Sequence, residues 1–210
     1  MSRCTGITDD ALLRKVSHGD EDAFAELYRR WSGNVYRFAL HMCGAPPVAE
    51  DVMQEVFMQV LRTPGQYDAT RGPFSAFVIG MARNMTLKAL RSGSRFTALP
   101  DSEHDFHTDF SSQRAWGNIV ETVEQQLTRR ALVSDVRRAI LALPPSYREV
   151  IVLCELQEMN YEEAAKILAC PIGTVRSRLH RARQVLAGRI RGHAAARRAV
   201  AVPSAAVTGD

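Results

Sequence analysis

Apolar residues recur at helical spacing along most of the chain. After Asp20, an N-capping residue by type, they fall at Phe24, Leu27, Trp31, Val35, Phe38 and Met42. Steps of three and four make one stripe of a long amphipathic helix. Gly44 and Pro46-Pro47 stop it. A shorter helix, Thr8 to Ser17, precedes it. A third helix is predicted from Val48 to Arg62, with Val52, Val56, Phe57, Val60 and Leu61 facing inward. Thr63-Pro64-Gly65 breaks it. A turn-rich loop, 66–72, leads to a fourth helix opened by Pro73 and running to about Arg91. Its core candidates are Phe74, Phe77, Val78, Met81, Met85 and Leu90. Residues 8–91 therefore predict a compact all-helical domain.

The periodicity weakens over 92–133. This stretch reads as a flexible linker, partly extended, with a helix near Trp116 to Leu132. Between Phe96 and Gln113 it holds Asp101, Glu103, Asp105 and Asp109 and no Lys or Arg, as an ordinary solvated spacer would. The helical pattern returns at Ser134. Val136, Ile140 and Leu143 mark one helix, ended by Pro144-Pro145. Ser146 caps the next, with Val150, Ile151, Leu153 and Leu156 apolar. Two short helices complete a second domain, 134–190. The Ala/Arg/Val-rich end, 191–210, reads as a disordered tail. The predicted fold is all-α, two small helical domains joined by a flexible linker.

Composition narrows the function. The chain has 210 residues, 46% of them hydrophobic and 24% charged, which supports packed cores. No apolar run approaches the roughly 20 residues of a membrane helix, and 1–10 lacks the apolar block of a signal peptide. These features predict a cytoplasmic chain without membrane insertion. Cys4, Cys43, Cys154 and Cys170 are scattered, with no His at ligand spacing, so no metal or disulfide framework is expected. No phosphate-cradling Gly loop or nucleophile–base motif is present, so neither a cofactor nor an enzyme is expected. The formal charge of +4 is uneven: residues 1–163 carry −4 and residues 164–210 carry +8. A basic end suits a polyanion partner, though a solvated basic tail has the same composition.

The basic end contains a helix-turn-helix pattern. Asn160 is an N-cap type with Glu163 three residues on, a capping box. The helix Tyr161 to Leu168 offers small Ala165 for a close crossing. Ala169-Cys170-Pro171 is the turn, with Pro171 at the first position of a helix reaching about Leu186. The turn position Ala169 is often Gly in such motifs. At 100° per residue, Val175, Leu179, Ala182 and Leu186 share a core face. The opposite face centres on Ser177, His180, Arg181 and Gln184, with Arg176 and Arg178 on its flanks. It holds donors and positive charge and no carboxylate. Such a helix fits a major groove, where Arg reads guanine edges. Arg178, Arg183 and Arg189 suit phosphates.

Longer motifs extend the pattern. Leu143-Pro-Pro-Ser-Tyr-Arg-Glu-Val150, Asn160-Tyr-Glu-Glu-Ala164 and Cys170-Pro-Ile-Gly-Thr-Val-Arg-Ser-Arg-Leu-His-Arg-Ala-Arg183 resemble region 4 of bacterial sigma-70 factors of the extracytoplasmic-function (ECF) group. Ala23-Phe-Ala-Glu-Leu-Tyr28, Ala49-Glu-Asp-Val-Met-Gln-Glu-Val-Phe57, Tyr67-Asp-Ala-Thr-Arg-Gly72 and Met81-Ala-Arg-Asn84 resemble region 2 of the same group. The resemblance covers about 10–92 and 134–190, in order. It implies a transcription initiation factor that binds core RNA polymerase and promoter DNA, with an anti-sigma factor as a further possible partner. Region 4 would read the −35 element and region 2 the −10 element. The acidic linker would thread toward the RNA exit path as a nucleic-acid mimic.

Carried over by position, the resemblance implies −35 contacts from Thr174, Arg176, Ser177, Arg178, His180, Arg181, Arg183 and Gln184. It implies −10 contacts from Tyr67, Asp68, Arg71 and Ser75. A flipped base needs a stacking surface, edge donors and cations, which these types supply. Asp51, Gln54 and Glu55 match the polymerase-docking segment; spacings of three and four place them on one exposed side of their helix. Arg83 and Asn84 match a family motif, Asn84 reading as a helix brace. Lys88 stands where the family often has Asp, Phe77 where it often has Trp, and Gly80 interrupts a helix. These departures bear on the −10 preference. The alternative is a stand-alone helix-turn-helix regulator with a helical N-terminal domain.

Overall fold

The computed structural model describes residues 6–92 and 123–200, with side chains for 6–92 and 129–192. The stretch 93–122, with the acidic run, and the final residues 201–210 lie outside the described residues.

Helix α1 (Asp9–Val16) is capped by Thr8, and α2 (Glu21–Cys43) by Asp20, whose carboxylate accepts the Ala23 N–H at 2.9 Å. The predicted stripe of α2 faces the core: Leu27, Val35, Phe38 and Met42 are wholly buried, with Phe24 and Trp31 half-buried. Each such side chain contributes about 1.5–3 kcal/mol on burial. Helix α3 (Pro46–Arg62) starts two residues earlier than expected. The proline pair that ends α2 also opens α3, because a missing N–H costs nothing in a first turn. Its inward face is Val52, Val56, Phe57 and Val60, but Leu61 is 42% exposed. Two 3-10 turns, Pro64–Gln66 and Ala69–Arg71, shape the loop before α4 (Phe74–Arg91).

In α4 the fully buried stripe is Phe74, Val78, Ala82 and Thr86, with Ile79 beside it. Phe77, Met81, Met85 and Leu90 are only half-buried. Small residues let α4 pack closely, and the Thr86 hydroxyl donates to the Ala82 carbonyl at 2.7 Å. Gly80 has no such reason to be small, since no atom lies within 4 Å of where its Cβ would sit. Gly80→Ala is therefore expected to stabilise the chain by about 0.5–1 kcal/mol, read as a raised midpoint in thermal or urea unfolding.

Helix α5 (Val123–Leu141) runs unbroken across Val133-Ser134. Helix α6 (Pro145–Ile151) starts at a proline, with Pro144 rather than Ser146 at the N-cap position, and passes into a π-type turn, Val152–Leu156. Leu156, apolar by type, is exposed. Helix α7 (Tyr161–Leu168) and α8 (Ile172–Val200) follow. The tail expected to be disordered from 191 is helical to Val200. Its run of Ala and Arg consists of strong helix formers, which extend a helix already nucleated upstream.

The two modules pack on each other. One buried apolar cluster includes residues of both, and α4 meets α7 while α2 meets α5, α6 and the π-type turn. Arg83 of α4 pairs with Glu149 of α6 at 2.8 Å, and the Glu149 side chain is almost fully buried. Arg148 donates to the Met42 carbonyl at 2.6 Å and Gln157 to the Asn34 carbonyl at 3.3 Å. Gly44, left-handed at φ 74°, ends α2; a Cβ there would lie 2.8 Å from Leu141 Cδ1. Glycine is thus favoured at the helix end, and a larger residue there would push the Leu141 side chain aside.

Candidate nucleic-acid and polymerase interfaces

The helix-turn-helix geometry starts at Asn160. Its side chain accepts the Glu163 N–H at 2.9 Å, and the Glu163 carboxylate accepts the Asn160 N–H at 3.2 Å. Ala164, Ala165 and Leu168 are buried, so α7 rests against α8 through small residues. Ala169 then turns the chain at φ 49°, ψ 47°. This left-handed geometry favours Gly, and Ala holds it at some steric cost. Pro171 precedes the helix rather than opening it, its carbonyl accepting the Thr174 and Val175 N–H groups.

Val175, Leu179 and Ala182 are buried as expected and Leu186 is half-buried. Arg176, Ser177, His180, Arg181, Arg183 and Gln184 are exposed on α8, with Thr174 and Arg178 half-buried. The guanidinium of Arg176 lies 5.7 Å from the centroid of the Tyr161 ring, a cation–π contact that positions it at the front of the motif. Gln184 Nε2 is 3.1 Å from His180 Nε2. Ser177 donates within the helix to the Thr174 carbonyl at 3.1 Å. Arg183, a phosphate candidate, is tied to a carboxylate. It pairs with Glu155 of the π-type turn, with Nε at 3.1 Å from Oε1, and this hydrogen-bonded partner raises its pKa further. Sequence spacing gives no sign of Glu155, which the turn brings in from outside the motif.

Two of the −10 candidates, Tyr67 and Asp68, line an open cleft of about 560 Å³ between α1 and the loop before α4, together with Asp10, Arg14, Ser17 and Gly65. Tyr67 is half-buried. Its hydroxyl donates to Asp10 Oδ1 at 2.6 Å, and its ring meets Phe74 edge-on at 5.5 Å. Burial, and then the Asp10 carboxylate, push its pKa up. Asp68 accepts from the Thr70 hydroxyl at 2.7 Å and from its N–H at 2.9 Å, and these bonds push its pKa down. Asp68 thereby shapes the loop. Arg71 is exposed and Ser75 half-buried. Asp10, Arg14 and Ser17 carry no local signal, because they reach the cleft only through the packing of α1. Asn84 is exposed rather than wedged between helices as a brace would be, whereas Arg83 braces the modules.

Asp51, Gln54 and Glu55 are all exposed on α3, with Glu55 3.4 Å from Arg62. The same face continues through Met58, 44% exposed, and Leu61. Sequence reading misses this apolar continuation because it assigns Leu61 to the core. Among the described residues no three His, Cys, Asp or Glu side chains gather as metal ligands, and no helix is long and apolar enough to cross a membrane.

Comparison with known proteins decides what these faces belong to. The Sigma-70 region 2 family matches residues 27–96, and the Sigma-70, region 4 family matches 134–186. The ECF RNA polymerase sigma factor SigW of Bacillus subtilis (strain 168) is 31% identical over 186 residues, covering 85% of this chain and 95% of the relative. The chain belongs to the ECF sigma factors. The ECF RNA polymerase sigma-E factor of Escherichia coli (strain K12) is 32% identical over 186 residues, 88% of this chain and 95% of that one. The fold is shared with CnrH, solved in complex with the cytosolic domain of CnrY: TM-score 0.62, 22% identity, 86% of this chain and 95% of that chain. It is also shared with RpoE of Bartonella quintana, solved with the anti-sigma factor NepR: TM-score 0.58, 24% identity, 80% and 96%. As an ECF sigma factor the chain directs core RNA polymerase to promoters and initiates transcription, region 4 reading the −35 element and region 2 the −10 element. The region 2 match disfavours a stand-alone regulator.

Proposed function

We propose that residues 8–91 form the core-docking and −10 module of this ECF sigma factor, and residues 134–190 the −35 module. Thr174, Arg176, Ser177, His180, Arg181 and Gln184 face the −35 duplex, Arg178 and Arg183 its phosphates. Tyr67, Asp68, Arg71 and Ser75 frame the −10 base, with Asp10 holding Tyr67 in place. Asp51, Gln54 and Glu55 dock on core polymerase, together with Met58 and Leu61. A surface joining carboxylates to exposed apolar groups suits a protein partner better than DNA. The protein acts without a catalytic centre, in the cytoplasm where polymerase works. An anti-sigma factor is a fitting further partner, since two fold neighbours were solved with CnrY and NepR.

The observation that carries the DNA reading is the exposed, carboxylate-free face of α8, with Arg176 steadied on Tyr161. Transcription in vitro from a genomic promoter library with purified core polymerase tests it: specific start sites are expected, and none from any template would overturn it. Arg176→Ala is expected to cost about 1–3 kcal/mol at one −35 base pair. Equal loss at every sequence would move Arg176 to a phosphate contact.

A further inference from the structure

We infer that helix α1, which precedes the residues 27–96 matched by the region 2 family, is a working part of the −10 site: its Asp10 fixes Tyr67 at the cleft wall, and its Arg14 meets a phosphate of the separated strand. The inference rests on the −10 reading of the cleft. Asp9 and Asp10 open α1 side by side and bond in two directions. Asp9 Oδ2 accepts the Trp31 indole N–H at 3.0 Å, and its Oδ1 accepts from Arg30 at 2.9 Å, both on α2. Asp10 Oδ1 accepts the Tyr67 hydroxyl at 2.6 Å. A row of rings joins the two bonds. Trp31 meets Phe74 with centroids 6.4 Å apart, and Phe74 meets Tyr67 at 5.5 Å, both edge-on. Phe77 also meets Tyr67 at 5.5 Å. The two polar atoms of this row, one at each end, are thus held by neighbouring carboxylates of α1.

This arrangement decides what Tyr67 does. Its hydroxyl has one proton, and the charged acceptor Asp10 is closer than the Gly72 carbonyl at 3.2 Å. The rest of the loop is tied as well. Asp68 accepts twice from Thr70, and Gly72 ends the turn at φ 150°, a backbone state that glycine adopts readily. A flipped base therefore meets a wall already in place, and the ordering of residues 66–72 is completed in folding rather than on capture. Removing the Tyr67–Asp10 bond shifts part of that ordering to the capture step. Arg14 stands one turn beyond Asp10 on the same side of α1 and lines the same cleft. Its side chain is exposed and pairs with no carboxylate among the described residues. Ser17, next along that side, commits its hydroxyl proton to the Arg14 carbonyl at 2.6 Å. Arg14 is then the group of α1 left to meet a ligand, and a free guanidinium beside a base-sized cleft suits the phosphate attached to that base.

The two roles are read separately on holoenzyme assembled from the full chain and purified core polymerase. The probe is a promoter recovered from the genomic library, built with an unpaired −10 region, together with copies in which one −10 base is changed. Tyr67→Phe and Asp10→Ala are each expected to cut the discrimination between matched and changed −10 bases roughly threefold to tenfold, with affinity for core unchanged. The double variant is expected to lose no more than Tyr67→Phe alone, because both substitutions remove the same bond. Asp10→Asn, whose amide oxygen still accepts from the hydroxyl, is expected to recover most of the discrimination. Arg14→Ala is expected to weaken binding to every copy alike and to lower the slope of log affinity against log salt by about 0.7, the share of one single-strand phosphate. Wild-type discrimination in both Tyr67→Phe and Asp10→Ala, or equal losses on all copies, would overturn the positioning role, and an unchanged salt slope in Arg14→Ala would overturn the phosphate contact. A wild type that tells no −10 base from another would overturn the −10 reading itself, a distinct result because it needs no α1 variant.

Discussion

Asp51→Arg combined with Gln54→Ala abolishes productive binding to core polymerase while leaving the fold and the duplex affinity of the −35 module intact. Both positions are exposed on α3, away from the buried Val52, Val56 and Val60, so the substitutions create no cavity and bury no charge in the free chain. On docking, the reversed charge replaces an acceptor with a cation and leaves its former partner desolvated. Losses of this kind cost about 2–5 kcal/mol, which corresponds to roughly 30-fold to several thousand-fold in affinity. Fluorescence anisotropy with labelled sigma factor and purified core polymerase measures it, and circular dichroism confirms the fold. Core affinity within threefold of wild type would remove the docking role from this face. Loss of duplex binding as well would show that α3 supports the DNA-reading module.

Much of this fold is legible from spacing because most helices are amphipathic and end in strong local signals. The Asp20 cap, the Gly44 end and the Asn160–Glu163 box all lie where residue type places them. The helix-turn-helix is legible for the same reason: cap, small crossing residue, turn and face fit within about two dozen residues. What escapes is whatever needs the other module. Arg83 cannot be paired with Glu149 by spacing, 66 residues away. In α4 the eye follows Phe77, Met81 and Met85, but close packing chooses Ala82 and Thr86. Leu61 resembles a core residue by type, and exposure alone reveals it as part of a surface. Of the −10 candidates, Tyr67 and Asp68 were visible by type, but not that they are fastened by Asp10 and Thr70. The 3-10 turns and the π-type turn have no strong sequence signature, so the Glu155 partner of Arg183 was invisible.

Acidification should destabilise the protein through His41. This α2 side chain is largely buried, and its Nδ1 has no hydrogen-bond partner among the described residues. Burial first, then Arg137 of α5 and Arg37 on its own helix, lower its pKa to about 4, against 6.5 for a free imidazole. The folded chain therefore holds His41 neutral where the unfolded chain would protonate it. Its contribution is fully present above pH 6.5 and is lost as pH falls from 6.5 toward 4. By pH 4.5 the loss is on the order of 2–3 kcal/mol. Carboxylates also titrate in the lower part of this window, so the measurement is a difference. Urea unfolding of wild type and His41→Gln at pH 7 and pH 4.5 should show wild type losing about 2–3 kcal/mol more than the variant. Equal losses would mean that protonated His41 is tolerated in place. Arg137 comes from the opposite module and is one of the two cations facing His41. The wild-type excess should therefore shrink in an Arg137→Ala background, and an undiminished excess there would assign the effect to burial and Arg37 alone.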